Sequence, residues 1–387
     1  MTELATTRAA PDGADRAGAA TTGAATTGPA TRPRRERDPA RTPPHVVAVA
    51  VVRDEERYLR TAVDAVLDQT WTGPLDVVLA VGPSHDRTRE IADELAARDP
   101  RVHVVDNPSG SRSEGLNLAV ERVAAMPTSD DADIIVRFDG HAVLPVGYVR
   151  QAVRVMERTG ADVVGGMMVP VGRTPFQSAV ARAMAHPAGI GATSFHTGGE
   201  AGPAQTVYLG VFRRTSLERV GGYDPTLVRA EDWDLNRRIR AGGGLVWFDP
   251  GLQVVYHPRR TVRDLARQFW RTGMWRREIV RRHPTTASPR YLAPPALVLG
   301  LVASLVLGVV GLVDALVPPA PTAWLGLALL APLLYALVVL TASAHAGLRE
   351  PPAVKLRLPV VLVVMHVAWG VGFLRGVSRH ARTEHRT

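Results

Sequence analysis

The 387-residue chain contains no cysteine, which excludes disulfides and thiolate-bound metals and leaves the compartment unspecified. Its first 43 residues lack almost every large apolar side chain and consist mainly of Ala, Thr, Gly, Pro and Arg. Such a stretch cannot bury enough surface to offset the entropy of ordering it, so residues 1–43 are expected to form a disordered tail. No continuous apolar core of the signal-peptide kind occurs there, which assigns this end to the cytoplasm. Charge is missing altogether from residues 291–313 and 320–344. Each run is long enough to cross a hydrocarbon core of roughly 30 Å, and both are expected to be transmembrane helices. Residues 358–374, interrupted by His366, are a third candidate that either spans or is re-entrant.

The charge that is present is unevenly placed. A formal net charge of +9 invites a nucleic-acid reading, but ten arginines fall between Arg259 and Arg290, directly before the first uncharged run. A basic belt beside apolar spans fits membrane lipid headgroups and the positive-inside rule better than it fits DNA, so no nucleic-acid partner is expected. Residues 259–290 read as a basic interfacial segment, with Phe269, Trp270 and Trp275 as aromatic anchors. Residues 291–376 then form a membrane domain of two or three helices, and 377–387 a basic tail. A third full span would place Arg375, Arg379, Arg382 and Arg386 on the outer side, against the positive-inside rule.

Between tail and belt, apolar runs of strand length alternate with segments of helical spacing. Strands are expected at 45–52, 76–81, 102–105 and 134–138, with helices between them at 54–67, 87–98 and 113–125. Alternation of this kind implies an α/β domain with a mainly parallel sheet, whose ligands gather at the carboxyl ends of the strands. Asp54, Ser84, Asp86, Asn107 and Asp139 all follow strands and are expected to share that rim. The text over 163–248 is less regular, with further apolar pieces at 163–164, 207–212, 245–248 and 252–256. Residues 193–202, rich in glycine, read equally as a lid or as a surface loop.

Two clusters carry chemistry. Asp139-Gly140-His141 leaves the strand 134–138, and in extended geometry Asp139 and His141 point to one face while Gly140 admits a close ligand. Two such ligands suit Mg2+ or Mn2+ bridged by phosphates, and the imidazole favours Mn2+. The plainer reading is an Asp capping a turn beside a surface histidine. Glu231-Asp232 opens a helical stretch and supplies a carboxylate of the kind a general base requires, or merely complements the helix dipole. Glycines at 221–222 and 242–244 flank that stretch and are expected to let backbone approach a ligand. Ser84 and Asp86 suit a helix cap as well as a site, and His257, ending the run 252–256, suits a structural hydrogen bond.

Taken together, the chain resembles the family 2 glycosyltransferases with the GT-A fold, in particular membrane-anchored members that build exopolysaccharides such as succinoglycan. The resemblance rests on residues 51–59 (Val-Val-Arg-Asp-Glu-Glu-Arg-Tyr-Leu), 84–90, Gly115-Leu116-Asn117, Asp139-Gly140-His141, 220–224, Glu231-Asp232 with Leu235 and Arg238, and 365–370, and covers roughly residues 45–376. It implies a GT-A catalytic domain over 44–258 and a nucleotide-sugar site that includes Asp54, Glu55, Ser84, Asp86, Asn117 and Asp139. It further implies that Asp139 and His141 stand in the family's Asp-X-Asp metal motif, that His257 lies near the diphosphate and metal, and that Asp232, beside Glu231, matches the general base. Two positions depart from the family pattern. Val81 replaces the acid that contacts the nucleobase, so uracil is not implied. Gln268 and Arg271 are followed by Thr272 where processive members carry tryptophan, which favours single addition.

The expected function is thus an inverting, metal-assisted transfer of sugar from a nucleotide-diphosphate sugar to a lipid-linked saccharide at the cell membrane, with the catalytic domain cytoplasmic. Two alternatives stand beside it. One is a polyprenyl-phosphate glycosyltransferase, whose acceptor is already ionised. The other is a non-catalytic nucleotide- or lipid-binding scaffold of a polysaccharide assembly complex.

Overall fold

The computed structural model describes residues 43–126, 134–191, 194–317 and 319–377. The expected N-terminal tail, apart from Pro43, and the basic tail with Arg379, Arg382 and Arg386 lie outside the described residues. The eight strands are β1 (Val46–Val52), β2 (Leu75–Val81), β3 (Val102–Asp106), β4 (Ile134–Arg137), β5 (Val163–Pro170), β6 (Gly202–Pro203), β7 (Tyr208–Arg213) and β8 (Val246–Tyr256). They form one sheet in the order β3-β2-β1-β4-β7-β5-β8-β6.

The first half follows from valine- and isoleucine-rich runs separated by amphipathic helices: α1 (Leu59–Leu67), α2 (Thr88–Arg98) and α3 (Arg112–Ala124). β1 pairs in parallel with both β2 and β4, so the chain turns one way after β1 and the other way before β4. That reversal opens a crevice at the carboxyl ends of β1 and β4, the usual ligand position in open α/β sheets. Side chains alternate between two cores. Val46, Ala48, Ala50 and Val52 of β1 join the cluster that includes α1 and α4 (Tyr148–Thr159). Val47 and Val49 join the one that includes α3 and α9 (Glu231–Ala241).

The second half departs from simple alternation. β7 runs antiparallel between β4 and β5, and the two apolar pieces at 245–248 and 252–256 belong to one strand, β8, whose pairing with β5 shifts register between Gly165 and Met167. Around these strands lie α5 (Pro175–Ala185), α6 (Pro187–Ile190), α7 (Ser194–Thr197) and α8 (Arg214–Arg219). Residues 194–202 are held by the short helix α7 and by β6, which pairs with β8; Thr193 lies outside the described residues.

Beyond the sheet, α10 (Val262–Arg282) carries the arginine belt, and α11 (Pro289–Asp314), α12 (Leu330–Ala346), α13 (Pro352–Lys355) and α14 (Leu358–Arg375) follow. A 3-10 segment, Ala323–Leu329, leads into α12. Three stretches are long and apolar enough to cross a membrane: Pro289–Asp314, Ala323–Ala346 and Pro352–Arg375. The aromatics of α10 are not outward anchors. Phe269 and Trp275 are buried, Phe269 in the cluster with α14 and Trp275 in the cluster with Trp233.

Candidate active site

The crevice is organised by an arginine that the motif reading passed over. Arg137, the last residue of β4, is 3 % exposed and points to the α9 side of the sheet, where it meets three acids. Its guanidinium lies 3.6 Å from Asp139, 3.5 Å from Glu231, and in direct contact with Asp232. Burial alone would lower its pKa, but Asp232, Asp139 and Glu231 hold it well above the ordinary value. A signal for this was available, since arginine is almost never fully buried unless paired. An arginine closing the apolar run Ile134-Ile135-Val136 therefore requires acids nearby.

Asp232 and Glu231 enter the crevice at the start of α9. Ala230, which precedes them, has φ 65°, a left-handed conformation uncommon for a residue with a side chain and of the kind that clusters at functional sites. Glu231 is buried between Arg137 and Arg112, 3.8 Å from the latter. Asp232 is different. One carboxylate oxygen meets Arg137, while the other, Oδ1, is buried and has no hydrogen-bond partner. Burial pushes its pKa up to about 6, outweighing the opposing pull of Arg137. A carboxylate in that range with an open oxygen has the properties a base at neutral pH needs.

Asp139, Gly140 and His141 occupy a turn closed by a hydrogen bond from the Ala142 amide to the Asp139 carbonyl, 2.8 Å. The expected extended geometry is thus corrected: the strand ends at Arg137, and the Asp-Gly-His segment bends over the crevice. Gly140 is there for β1 and not for a ligand, because a Cβ would lie 2.9 Å from Val52 Cγ1 and 3.2 Å from Glu55 Cγ. Asp139 is buried, which would raise its pKa, yet Arg112, Arg137 and His141 keep it below the ordinary carboxylate value. His141 Nδ1 lies 2.7 Å from Glu55 Oε1. That hydrogen bond raises the imidazole pKa against the effect of burial.

The loops after β1 and β2 interlock beside this turn. Asp54, at φ 56°, accepts the His85 amide at 2.7 Å. Asp54 N donates to Ser84 Oγ at 3.3 Å, Glu55 N to Thr88 Oγ1 at 2.7 Å, and Glu56 N to Asp86 Oδ2 at 3.1 Å. Ser84 and Asp86 therefore tie the two loops together, Asp86 also accepting from Thr88 N at 3.0 Å at the start of α2.

Three expectations are corrected. His257 does not join Asp139 and His141: its Nδ1 faces Val171 O at 2.9 Å and its Nε2 faces Arg173 at 3.1 Å. β8 stands three places from β4 in the sheet, roughly 14 Å at ordinary strand spacing. Among the described residues no three His, Asp or Glu side chains come together as a metal cluster. Asn117, expected at the nucleotide, instead braces the loop before α9. Its Nδ2 donates to Tyr223 O at 2.8 Å and its Oδ1 accepts from Tyr223 N at 2.8 Å. Gly221 and Gly222 have φ of 73° and 70°, and a Cβ on Gly222 would meet Asn117 Oδ1 at 2.6 Å. Those glycines serve a turn against Asn117, and Gly242–Gly244 follows α9 as its cap. Asn107 is likewise internal to its loop, donating to Ser111 O at 3.0 Å. We expect Asn117→Ala to lower stability by about 1–3 kcal/mol, because it leaves buried backbone groups of Tyr223 unpaired. Thermal unfolding in detergent checks this, and an unchanged Tm would refute it.

Comparison with known proteins came out as follows. A family model described as glycosyltransferase like family 2 matches residues 43–278. The succinoglycan biosynthesis protein ExoA of Rhizobium meliloti (strain 1021) is 32 % identical over 308 residues, spanning 77 % of this chain and 84 % of that protein. Among solved structures, the mannosyltransferase PcManGT from Pyrobaculum calidifontis, in complex with GDP-Man and Mn2+, is similar in fold with a TM-score of 0.51. It is 19 % identical, and the match covers 87 % of this chain and 88 % of that one.

Proposed function

The chain belongs to the family 2 glycosyltransferases, with the GT-A fold, and from that premise we propose an inverting transfer of a sugar to a lipid-linked saccharide in exopolysaccharide assembly at the cell membrane. The donor is a nucleoside diphosphate sugar. Its nucleoside binds along the Asp54-Glu55 loop, and its diphosphate lies by the Asp139–His141 turn. The observation that carries the reading is Asp232: a carboxylate with a pKa of about 6 and one unpartnered oxygen, beside Arg137, which also meets Asp139.

In this reaction Asp232 Oδ1 takes the proton of the acceptor hydroxyl as that oxygen forms a bond to the anomeric carbon from the face opposite the donor phosphate. The anomeric carbon–oxygen bond breaks with its electron pair leaving on the nucleoside diphosphate, and the configuration inverts. Arg137 holds Asp232 deprotonated and oriented. Arg112, 3.7 Å from Asp139 and 3.8 Å from Glu231, adds a second cation on the same side.

The residues present fit a divalent metal. Asp139 is held ionised, and His141 has its Nδ1 on a carboxylate, the arrangement that orients metal-ligating histidines, so that Nε2 is the nitrogen left for a cation. Asp139 and His141 would hold it, and its chemistry there is positive charge for the departing diphosphate. An imidazole ligand favours Mn2+ over Mg2+. We expect Mn2+ to support faster transfer than Mg2+, and Glu55→Gln to raise the Mn2+ concentration for half-maximal transfer roughly 10–100-fold. Equal activity with both metals, or an unshifted Mn2+ curve in the variant, would refute the assignment.

Transfer of labelled sugar from UDP-, GDP- and dTDP-sugars to lipid extracts tests the reaction as a whole. Incorporation into saccharide-bearing lipid is the expected product. Product in which the sugar sits on a polyprenyl phosphate would favour the other acceptor class. Absence of both transfer and nucleotide binding would favour a scaffold.

A further inference from the structure

By length and composition α14 is a membrane span, yet its packing places it elsewhere. Its partners on α10 advance in step with it: Phe269 stacks near Trp369 at 6.3 Å, Gly273 abuts Trp369 and Phe373, and Arg277 donates to the carbonyls of Phe373 and Leu374. The two helices therefore run parallel and side by side. Contact is close because glycine stands on both sides of the seam, where a methyl on Gly273 or Gly372 would collide with the backbone of Trp369 or Trp270.

This pairing conflicts with a transmembrane position. A spanning α14 would carry α10 into the hydrocarbon beside it, with Arg263, Arg267 and Arg271 exposed in a row. Arginine at that depth is strongly disfavoured. The middle of α14 is fixed to the catalytic domain as well. His366 Nε2 donates to the Ala188 carbonyl of α6 at 2.6 Å, and Met365 approaches Gly189. Against α11 it packs near one end, with Gly370 against Pro294 and Val298. Within the protein 44 % of its apolar window is buried, against 17 % and 6 % for the other two.

What α14 leaves outside is a narrow strip. Leu356, just ahead of it, Val360 and Val363 are 77 %, 52 % and 37 % exposed, spaced four and three apart on one helical face. Exposed cations flank the strip, Lys355 and Arg357 at one end and Arg375 at the other. An apolar stripe bordered by cations is the pattern of a helix lying in the headgroup–acyl boundary.

We propose that α14 does not cross the bilayer but lies in the plane of the membrane surface, on the side of the catalytic domain, as the bed on which α5, α6 and α10 rest. Only α11 and the Ala323–Ala346 segment then span. The inference stands on packing and charge, independently of the transfer reaction.

A chain without cysteine permits a direct test. Single cysteines are introduced into the full-length protein as Pro321→Cys, as Arg349→Cys and appended after Thr387. Each is treated with a membrane-impermeant maleimide in intact cells and in inside-out vesicles. The Arg349→Cys and appended cysteines are expected to label in the same preparation, and Pro321→Cys in the other. Labelling of the appended cysteine together with Pro321→Cys would overturn the proposal. As a second measurement, a fluorophore on Val363→Cys in phosphatidylglycerol-containing liposomes is expected to be quenched more by lipids brominated near the headgroup than by lipids brominated near the bilayer centre. Stronger quenching from the centre would overturn it equally.

Discussion

Asp232→Asn is expected to lower kcat by roughly 10²–10⁴-fold, the usual worth of a positioned general base, with the donor KM little changed. The substitution keeps the shape of the side chain and its place beside Arg137 while removing the proton acceptor. The wild-type pH profile supplies an independent check. A base acts in its deprotonated form, which predominates above its pKa, and that pKa is pushed up to about 6. Accordingly kcat/KM should rise with pH, level off above about 6, and fall about tenfold per unit well below it. Transfer undiminished in the variant, or a profile flat through that region, would remove Asp232 as base. A polyprenyl-phosphate acceptor, already ionised, would produce that flat profile, so the same experiment separates the two acceptor classes.

The largest expected effect on folding belongs to Arg137. Replacement by glutamine leaves Asp139, Glu231 and Asp232 clustered in a crevice with one central cation gone, and breaking a buried ionic group by removing one partner costs about 3–5 kcal/mol. A lower Tm in detergent is the first readout. A structural role alone would stop there, but Arg137 also restrains the pKa of Asp232, so the variant's acid limb should move to higher pH. Arg137→Lys keeps the charge without the planar fork that reaches several acids at once, and should recover part of the stability. If Arg137→Gln melts like the wild type and its acid limb stays in place, the central role given to this arginine is wrong.

The parallel half of the sheet was legible because it is written in local pattern. Valine-rich runs such as Val46–Val52 and Leu75–Val81 alternate with amphipathic helices, and strands followed by helices leave few topologies. The strand-end rim followed directly, with Asp54, Ser84, Asp86 and Asp139 at it. β7 between β4 and β5, and the single long β8, were not legible. Their pairing is set by distant partners and a register shift, and strand periodicity carries no information on the neighbour a strand will take.

By itself the sequence determined the chemistry available: an Asp-Gly-His turn, an acidic pair opening a helix, a basic belt and apolar runs long enough to cross a bilayer. Tertiary structure decided which of these groups meet. It brought Arg137 under Asp139, Glu231 and Asp232, separated His257 from them by three strand positions, gave Asn117 and the glycines to a turn, and laid α14 along an arginine-rich helix. Composition and spacing register what a segment prefers in isolation. A buried charge or an apolar helix answers to whatever packs against it, and those partners lie from about ninety to nearly two hundred residues away in the chain, beyond the reach of local pattern.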